Sequence, residues 1–470
     1  RWRSPSGNDL LLVYQKDYGE DEVLPDGKTV VSINFTGDNH GPHSYERVKK
    51  IYADLRKRYP QAQLVGASFN DVARELLLIK KDLPVVTSEI GDTWIFGYGG
   101  APIRMAKFRA VSRLYSQWLN EGKIKKDSDV ALDFAAELGL IAEHTQGVDV
   151  KTHLRQWDKY DMDKFLKGRS EGVFSMAEAS WKEIDNYIDS AIAFLPASLQ
   201  KEAREVVAEV DKVKLEDNSK MKPMARKRWE QPIAGGMTLA GLSYQMFDGD
   251  DYDDFQNRYL RARYEWALDD LGKRGLKESH AVSVTLYAQT MAQSVRKEKK
   301  GTRIITELRF PENEKVDKRV YPERIQVNCF TTKNGKRSEV ALTIYGKPAV
   351  RLPESYWLSF TVPGIESVIA EKMGERVNLM DVVEKGNRQM HGIDRYVDLI
   401  TSGETIRISS KEAFLLNVGE AQGLNYSTNY PDKRKGVHFN LNNNLWGTNF
   451  SMWNEGSLTY HFVIETLNRK

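Results

Sequence analysis

Three short polar segments of this 470-residue sequence carry the residue types that could do chemistry. They span residues 36–43, 91–97 and 143–149, and each combines glycine with acidic, imidazole or indole side chains. Carboxyl and imidazole groups transfer protons and bind divalent metals, and a flat indole face suits a sugar ring. The segments therefore point to acid–base, metal-assisted or carbohydrate-binding chemistry.

The first segment offers Asp38 as a general acid or base. Gly37 before it and a Gly-Pro pair after it shape a tight loop, which favours this interpretation over a plain cap for the helix predicted to begin near Ser44. By residue type alone, Asp38, His40 and His43 could also form a metal site, although nothing in their spacing forces the three side chains to converge.

The other two segments each allow a functional and a structural interpretation. Asp92 could accept a hydrogen bond from a sugar hydroxyl while Trp94 stacks on the ring, or Trp94 could be a core residue under the helices that follow. Glu143 and His144 fall at a predicted helix C-terminus, with Gly147 as the natural stop. A histidine there most often interacts with the helix dipole, and a metal-ligand role is the alternative.

The first hundred residues must position two of these segments, and they alternate between strand-like and helix-like patterns. Strands are predicted at residues 9–15, 29–37, 63–68 and 84–90, and helices at 44–59 and about 72–79. Such alternation predicts a parallel sheet, because a parallel return needs a crossover, and active residues would follow the strand ends. So few strands cannot close a barrel, so we expect an N-terminal piece of the same fold outside this chain.

The rest of the chain changes pattern twice. From Met105 to about Val213 apolar residues recur at helical spacing, and later stretches such as 302–310, 324–332 and 338–346 are short, β-branched and alternating. We therefore predict an α+β multidomain chain. Residues 1–100 would be the C-terminal part of an α/β barrel, 101–220 a helical bundle and 221–470 β-sandwich domains.

The composition excludes several partners. Lys and Arg total 69 against 66 Asp and Glu, a net charge of +3 with the signs interspersed, so a nucleic acid is not expected. The sequence has no apolar run of membrane-spanning length. The single cysteine, Cys329, permits no intrachain disulfide and lies in an apolar-alternating stretch, which predicts a buried structural thiol. Whether the chain forms a homo-oligomer or associates with the missing N-terminal piece stays open.

In this order, the segments resemble the family 38 glycoside hydrolases, the retaining α-mannosidase superfamily, and more closely a bacterial branch of it. Residues 37–40 are similar to the family's Gly-Asp-Asp-Phe loop, and residues 93–102 to its Tyr-Trp-Ser-Gly-Tyr-Tyr-Thr-Ser-Arg-Pro segment. Residues 143–147 are similar in place to a His-His-Asp-Ala-Val-Ser-Gly-Thr segment, and residues 443–450 to an Asn-rich, Trp-containing sandwich segment.

The resemblance implies roles for individual residues. Asp38 would be catalytic, and the substrate would contact Asn39, His40, Asp92, Trp94, Glu143 and Trp446. His144 would bind zinc or another divalent cation, with further ligands from the missing N-terminal segment. The metal would hold two sugar hydroxyls and favour a distorted, oxocarbenium-like ring. A retaining enzyme also needs two carboxyls about 5–5.5 Å apart.

The sequence departs from the family pattern at two points. The family's His-x-Asp pair and Asp nucleophile have no match, and Asn39 replaces an Asp whose carboxyl could transfer a proton. Either this duty falls to Asp38 or to a residue outside the chain, or the chemistry differs from that of the mannosidases. We predict a retaining, metal-dependent glycosidase that acts on an α-linked sugar of a glycan. The alternative is a non-catalytic carbohydrate-binding or scaffold protein of the same fold. No phosphate-loop or dinucleotide-binding glycine motif occurs.

Overall fold

The chain is described by a computed structural model that covers residues 1–15, 19–37, 40–91, 93–224, 229–261 and 263–467. It divides into two compact units, Arg1–Glu89 and Ile90–Lys470. Both units combine helices with antiparallel strands, so the chain is an α+β protein of more than one unit, with most of its sheet in the C-terminal part.

The described residues of the smaller unit form two short hairpins and two helices. The antiparallel hairpins pair β1 (Trp2–Arg3) with β2 (Asp9–Leu10) and β3 (Asp21–Val23) with β4 (Val30–Ser32). Helix α1 (Tyr45–Arg58) begins after Ser44, whose side chain accepts a hydrogen bond from a first-turn amide. Helix α2 (Phe69–Leu78) begins with a capping box formed by Ser68. Both helices lie where the apolar spacing predicts them.

The parallel sheet expected here is not formed among the described residues. Their one parallel pairing in this unit is the isolated bridge between Trp2 and Val86, and residues 63–68 and 84–90 form no continuous strand. A buried parallel strand needs cover on both faces, yet Tyr14 is 80% and Val65 70% exposed. The apolar pattern identified residues suited to strands, but it carried no information about which strands would pair with them. The barrel stays a prediction.

Residues 93–211 are mainly helical, as predicted. A 3-10 helix (Thr93–Gly100) precedes α3 (Pro102–Asn120), α4 (Asp129–Gly139), a 3-10 turn (Leu140–Ala142), α5 (Val150–His153), α6 (Met162–Ser170), α7 (Ser175–Ala193) and α8 (Ala197–Asp211). Helix α3 packs against α7 and α8, and α4 packs against α7, around the fully buried Trp118 and Phe134. In the described part of the chain, no helix combines the length and apolarity needed to cross a membrane.

Residues 222–467 supply two large antiparallel sheets. The strands and helices are β5 (Lys222–Pro223), β6 (Gln231–Pro232), β7 (Thr238–Met246), α9 (Gly249–Tyr259), α10 (Glu265–Asp270), β8 (Val284–Tyr287), β9 (Gln289–Lys297), β10 (Gly301–Arg309), β11 (Arg324–Thr332), β12 (Arg337–Lys347), β13 (Glu354–Thr361), β14 (Ile365–Lys372), β15 (Glu375–Asn378), β16 (Met390–Gly392), β17 (Tyr396–Thr401), β18 (Thr405–Ser410), β19 (Leu415–Val418), β20 (Val437–Asn443) and β21 (Gly456–Leu467). Short 3-10 turns lie at Ala234–Gly236, Lys318–Val320 and Lys433–Lys435.

The strand order shows that distant segments pair. One sheet runs β15-β14-β17-β18-β21-β12-β11-β10-β9-β5, and the other runs β16-β19-β20-β13-β7-β6, with β8 also paired to β7. The two sheets pack face to face. Phe462 of the first sheet lies 5.5 Å from Phe360 and 5.0 Å from Phe439 of the second, measured between ring centroids. This arrangement is a β-sandwich with an aromatic core.

Cys329 lies inside this core. Its side chain is fully buried, and burial raises the pKa of its thiol to about 12. A thiol held in its neutral form is a poor nucleophile and a poor metal ligand. The predicted structural role of Cys329 is therefore confirmed.

The buried His438 of β20 makes the stability of this sandwich depend on pH. Burial lowers the pKa of His438 to about 4, and its Nδ1 lies 2.8 Å from Ser359 Oγ. In the unfolded chain the pKa is about 6.5, so protons bind the unfolded state more readily between these values. The free energy of unfolding should fall by on the order of 3 kcal/mol as the pH drops from about 6.5 to about 4.

Urea unfolding measured across this pH range tests the effect. We expect His438→Gln to flatten this part of the curve, whereas His280→Gln, at a side chain that is 92% exposed, should leave it unchanged. An identical slope in His438→Gln and the parent chain would contradict the assignment.

Candidate functional site

The 3-10 helix Thr93–Gly100 lies against the end of β20. Asn443 Nδ2 donates a hydrogen bond of 2.9 Å to the carbonyl oxygen of Phe96. Gly99 permits this approach, because a Cβ atom at position 99 would lie 2.3 Å from the same amide nitrogen. Position 99 therefore requires a glycine because of the close contact with Asn443, and not because of a turn conformation.

A β-bulge orients the end of β20 toward this 3-10 helix. Tyr356 pairs with Asn442 and Trp357 pairs with Asn440, so one extra residue of β20 lies between the two pairs. A bulge changes which face a side chain points to, and here it brings Asn440 and Asn443 together. Asn443 Nδ2 donates to Asn440 Oδ1 over 2.8 Å, and both side chains are buried.

Two aromatic residues of the 3-10 helix pack on one ring from the segment after β20. The Phe450 centroid lies 5.4 Å from that of Trp94 and 5.7 Å from that of Tyr98. A Cβ atom at Gly97 would lie 2.4 Å from the Phe450 ring, so this ring fills the space that the missing side chain leaves. Trp94 itself is only partly buried, so it serves both as packing and as accessible indole surface.

Tyr98 also reaches the turn that follows α4. Its hydroxyl lies 2.9 Å from the carbonyl oxygen of Ala142 and 3.0 Å from that of Glu143, and it donates to this pair. Burial, with a smaller contribution from the charge of Glu143, raises the pKa of Tyr98 to about 12. The phenol therefore stays neutral and keeps its proton for this hydrogen bond.

The same turn is held from the protein interior. Gln146 Nε2 donates to the carbonyl oxygens of Ile141 and Glu143 over 2.8 and 3.0 Å. The buried Arg104 donates to Gln146 Oε1 over 3.2 Å and to the carbonyl oxygen of Trp181 over 2.8 Å. These bonds fix the backbone of the turn and leave its acidic and imidazole side chains at the surface.

Glu143 and His144 form the exposed polar part of the site. Their side chains are 45% and 71% exposed, and His144 Nδ1 contacts the Glu143 carboxylate. Glu143 also accepts a 2.7 Å hydrogen bond from the Thr145 amide. Partial burial disfavours the charged carboxylate, but the Thr145 hydrogen bonds and His144 outweigh it, so the pKa of Glu143 lies below its usual value. Glu143 is thus a hydrogen-bond acceptor at neutral pH.

These residues alone do not fit a zinc ion. Within the described ranges, no group of three or more His, Cys, Asp or Glu side chains is arranged to hold a metal. Glu143 and His144 supply at most two ligands, whereas protein zinc sites use three or four. The role of His144 as a metal ligand stays a prediction that needs ligands from elsewhere.

Trp446 lies inside the protein and is 2% exposed. Its ring centroid lies 6.3 Å from that of Phe96 and 6.0 Å from that of Phe255, so it supports the 3-10 helix by packing. The predicted contact between Trp446 and a substrate stays a prediction.

The contacts described above do not test the other four predicted site residues. Asp38, Asn39 and Asp92 lie outside the described residues. His40 lies in the smaller unit, where its exposed Nδ1 is 3.2 Å from the carbonyl oxygen of Thr36. The catalytic role of Asp38 and the substrate contacts of the other three residues therefore stay predictions.

Several residues that build the site received no role from the sequence. Tyr98, Phe450 and Asn443 connect its three segments, and Arg104 supports the turn from behind. A usable signal was the run Gly97-Tyr98-Gly99-Gly100, in which the glycines leave room for close neighbours. Arg104 gave another signal, since an arginine beside the apolar face of α3 needs buried acceptors.

Comparisons with known proteins give distant matches. The chain matches a family model described as "Domain of unknown function (DUF5054)" over residues 99–233, and no curated protein sequence matches it significantly. A solved protein of glycosyl hydrolase family 38 from Enterococcus faecalis is 9% identical with a TM-score of 0.42, covering 91% of this chain and 63% of that one. An alpha-mannosidase from Enterococcus faecalis V583 is 7% identical with a TM-score of 0.29, covering 53% and 29%.

The chain therefore spans less than two thirds of the length of either solved protein. The first is described as a member of glycosyl hydrolase family 38, and the second as an alpha-mannosidase. At this distance the matches say nothing about the roles of individual residues.

The contact between Gly97 and Phe450 gives a direct test of the site's packing. We expect Gly97→Ala to lower the free energy of unfolding by about 1–3 kcal/mol, because the new methyl group would overlap the Phe450 ring. Gly139→Ala is the matched control. Gly139 ends α4 in helical geometry with nothing within 4 Å of an added Cβ, so this change should be neutral or stabilising. Equal effects of the two substitutions in chemical denaturation would contradict the packing.

Proposed function

We propose that this chain is a carbohydrate-active protein of the mannosidase-like kind. Its glycan-binding surface would lie where the 3-10 helix Thr93–Gly100, the turn at residues 143–146 and the segment after β20 meet. The observation that carries the proposal is the position of Tyr98, which contacts both the Glu143 carbonyl and the Phe450 ring. Three segments that are far apart in sequence, and whose motifs carry the family resemblance, are thereby neighbours.

The chemistry of this surface suits a sugar. A sugar ring has an apolar C–H face that packs on an aromatic side chain and a rim of hydroxyls that need hydrogen-bond partners. Trp94 offers partly exposed indole surface, and Glu143 and His144 offer an exposed carboxylate and imidazole. Because the Phe450 ring and Tyr98 fix the 3-10 helix, the indole needs little ordering on binding.

Within this proposal, the chain acts as a retaining, metal-dependent glycosidase on an α-linked sugar. Asp38 would be the general acid or base, and Asn39, His40 and Asp92 would contact the substrate. His144 would contribute one ligand to zinc or another divalent cation. The support for these roles is the motif resemblance, since three of these residues lie outside the described part of the chain.

A second function is a glycan-binding protein without catalysis. It is favoured by the lack of a three-ligand metal group in the described ranges and by Asn39 at a position where the family has a carboxyl. Both functions use the same surface, so they share the binding test and differ in hydrolysis and metal content.

Trp94→Ala tests the shared surface. We expect it to weaken binding of an α-linked mannose oligosaccharide by about 1–3 kcal/mol, measured by isothermal titration calorimetry, because an aromatic anchor is lost. Trp266→Ala, which removes an exposed indole on α10, should leave the affinity unchanged. Equal affinities of the parent and Trp94→Ala would place Trp94 in the core only, and no binding by the parent would remove the proposal.

Metal content separates the two functions. If the protein is a metal-dependent glycosidase, a full-length, folded preparation that includes the expected N-terminal segment should hold about one zinc per chain and release 4-nitrophenol from a 4-nitrophenyl α-mannoside, and His144→Ala should lose both properties. His280→Ala is the control, since that side chain is also exposed. Glycan binding with neither zinc nor hydrolysis would select the binding protein. Unchanged zinc content in His144→Ala would remove His144 from the metal site.

A further inference from the structure

A small pocket lies between the residues after α10 and the segment after β20. Its lining includes Trp157, Tyr160, Lys273, Arg351, Gly447 and Thr448. Its cavity volume is about 20 Å³. That is enough for one small ion or water molecule but not for a sugar ring.

Arg351 is the most unusual of these lining residues. It is 2% exposed, and its guanidinium carbon lies 4.1 Å from the Tyr160 ring centroid and 5.1 Å from that of Phe174. A guanidinium has five N–H donors. Within the described residues its one hydrogen bond is a long contact of 3.5 Å to the carbonyl oxygen of Trp157, and its charge meets no carboxylate at ion-pair distance. Most of its donors therefore lack a protein partner there.

Lys273 places a second cation in the same pocket. Its Nζ donates a 3.0 Å hydrogen bond to the carbonyl oxygen of Trp446, and the described residues give it no ion pair. Burial, with a smaller contribution from the charge of Arg351, lowers the pKa of Lys273 to about 7. The ammonium is therefore poorly compensated by its surroundings.

The other charged lining residues already have partners. Lys151 Nζ lies 2.6 Å from an Asp270 carboxylate oxygen, and Arg274 lies 3.6 Å from an Asp269 carboxylate oxygen. Uncompensated buried charge is costly. The excess positive charge of the pocket is thus concentrated on Arg351 and Lys273, which both line the same small space.

We propose that this pocket binds a tetrahedral oxyanion, phosphate or sulfate, between the Arg351 guanidinium and the Lys273 ammonium. An oxyanion supplies several acceptor oxygens in the geometry that a guanidinium fork matches, and its charge compensates both cations. The anion is either a free ion or the end group of a larger ligand. This site is independent of the glycan-binding surface proposed above.

Titration of the full chain with inorganic phosphate at constant ionic strength tests the proposal. We expect saturable binding of one phosphate per chain and a matching rise in thermal stability. Arg351→Met and Lys273→Met should each weaken binding about tenfold or more, because one cation is removed from a buried charge contact. Lys212→Met, which makes the same change in net charge at an exposed lysine, should bind as the parent does.

The outcomes are distinct. Binding of methyl phosphate as well as phosphate supports an end group on a larger ligand, and binding of phosphate alone supports a free ion. Because Arg351 also packs on two rings, Arg351→Lys provides a second variant that keeps the charge and loses the fork, and weaker binding is expected. No saturable binding by the parent chain, or unchanged affinity in both Met variants, would overturn the proposal.

Discussion

Two adjacent buried amides at the end of β20 hold the backbone segments on which both proposed sites depend. The Asn443 side chain donates a hydrogen bond to the carbonyl oxygen of Phe96, which lies between Trp94 and Tyr98 in the 3-10 helix. Asn444 Nδ2 donates to the carbonyl oxygens of Val350 and Leu352 over 3.0 and 3.1 Å, on either side of Arg351. A buried amide must find partners for all its polar atoms, so it accepts few arrangements of its neighbours. One dipeptide therefore fixes the backbone under both proposed sites.

A buried ion pair continues this network into the sandwich. The backbone amide of Glu354 donates a 2.7 Å hydrogen bond to Asn444 Oδ1. The Glu354 carboxylate lies 2.5 Å from Lys347 Nζ and accepts a 2.8 Å hydrogen bond from the Tyr244 hydroxyl. Burial raises the pKa of Glu354, and Lys347 and Tyr244 act against that shift. Such a pair adds little net stability but penalises every arrangement that separates its members. It therefore favours one register of β13 against its neighbours.

The sequence predicted what depends on local pattern and missed what depends on distant partners. Helices α1 and α2 and strands such as β11 and β12 lie where their apolar spacing places them, because that spacing reports which face is buried. The insertion of β21 between β12 and β18 pairs segments far apart in the chain, and no local pattern encodes such a neighbour. The predicted strand at residues 63–68 does not form for the same reason, since a short apolar stretch becomes a strand only where a neighbouring strand pairs with it. The motif order singled out segments 93–102, 143–147 and 443–450, but it could not predict that Tyr98 and Phe450 make them neighbours, because those contacts follow from the shapes of the side chains.

The electrostatics of the surface restrict what its exposed residues can do. A general acid needs a pKa raised toward the working pH, which proteins achieve by burying a carboxyl away from compensating donors. Glu143 has the opposite environment, because hydrogen bonds from Thr145 and contact with His144 lower its pKa. Tyr98 cannot replace it, since its raised pKa and its hydrogen bond to backbone carbonyls keep its proton in place. Neither Glu143 nor Tyr98 is therefore suited to be a general acid, and if the chain cleaves a glycosidic bond as proposed, the proton donor must be a different group.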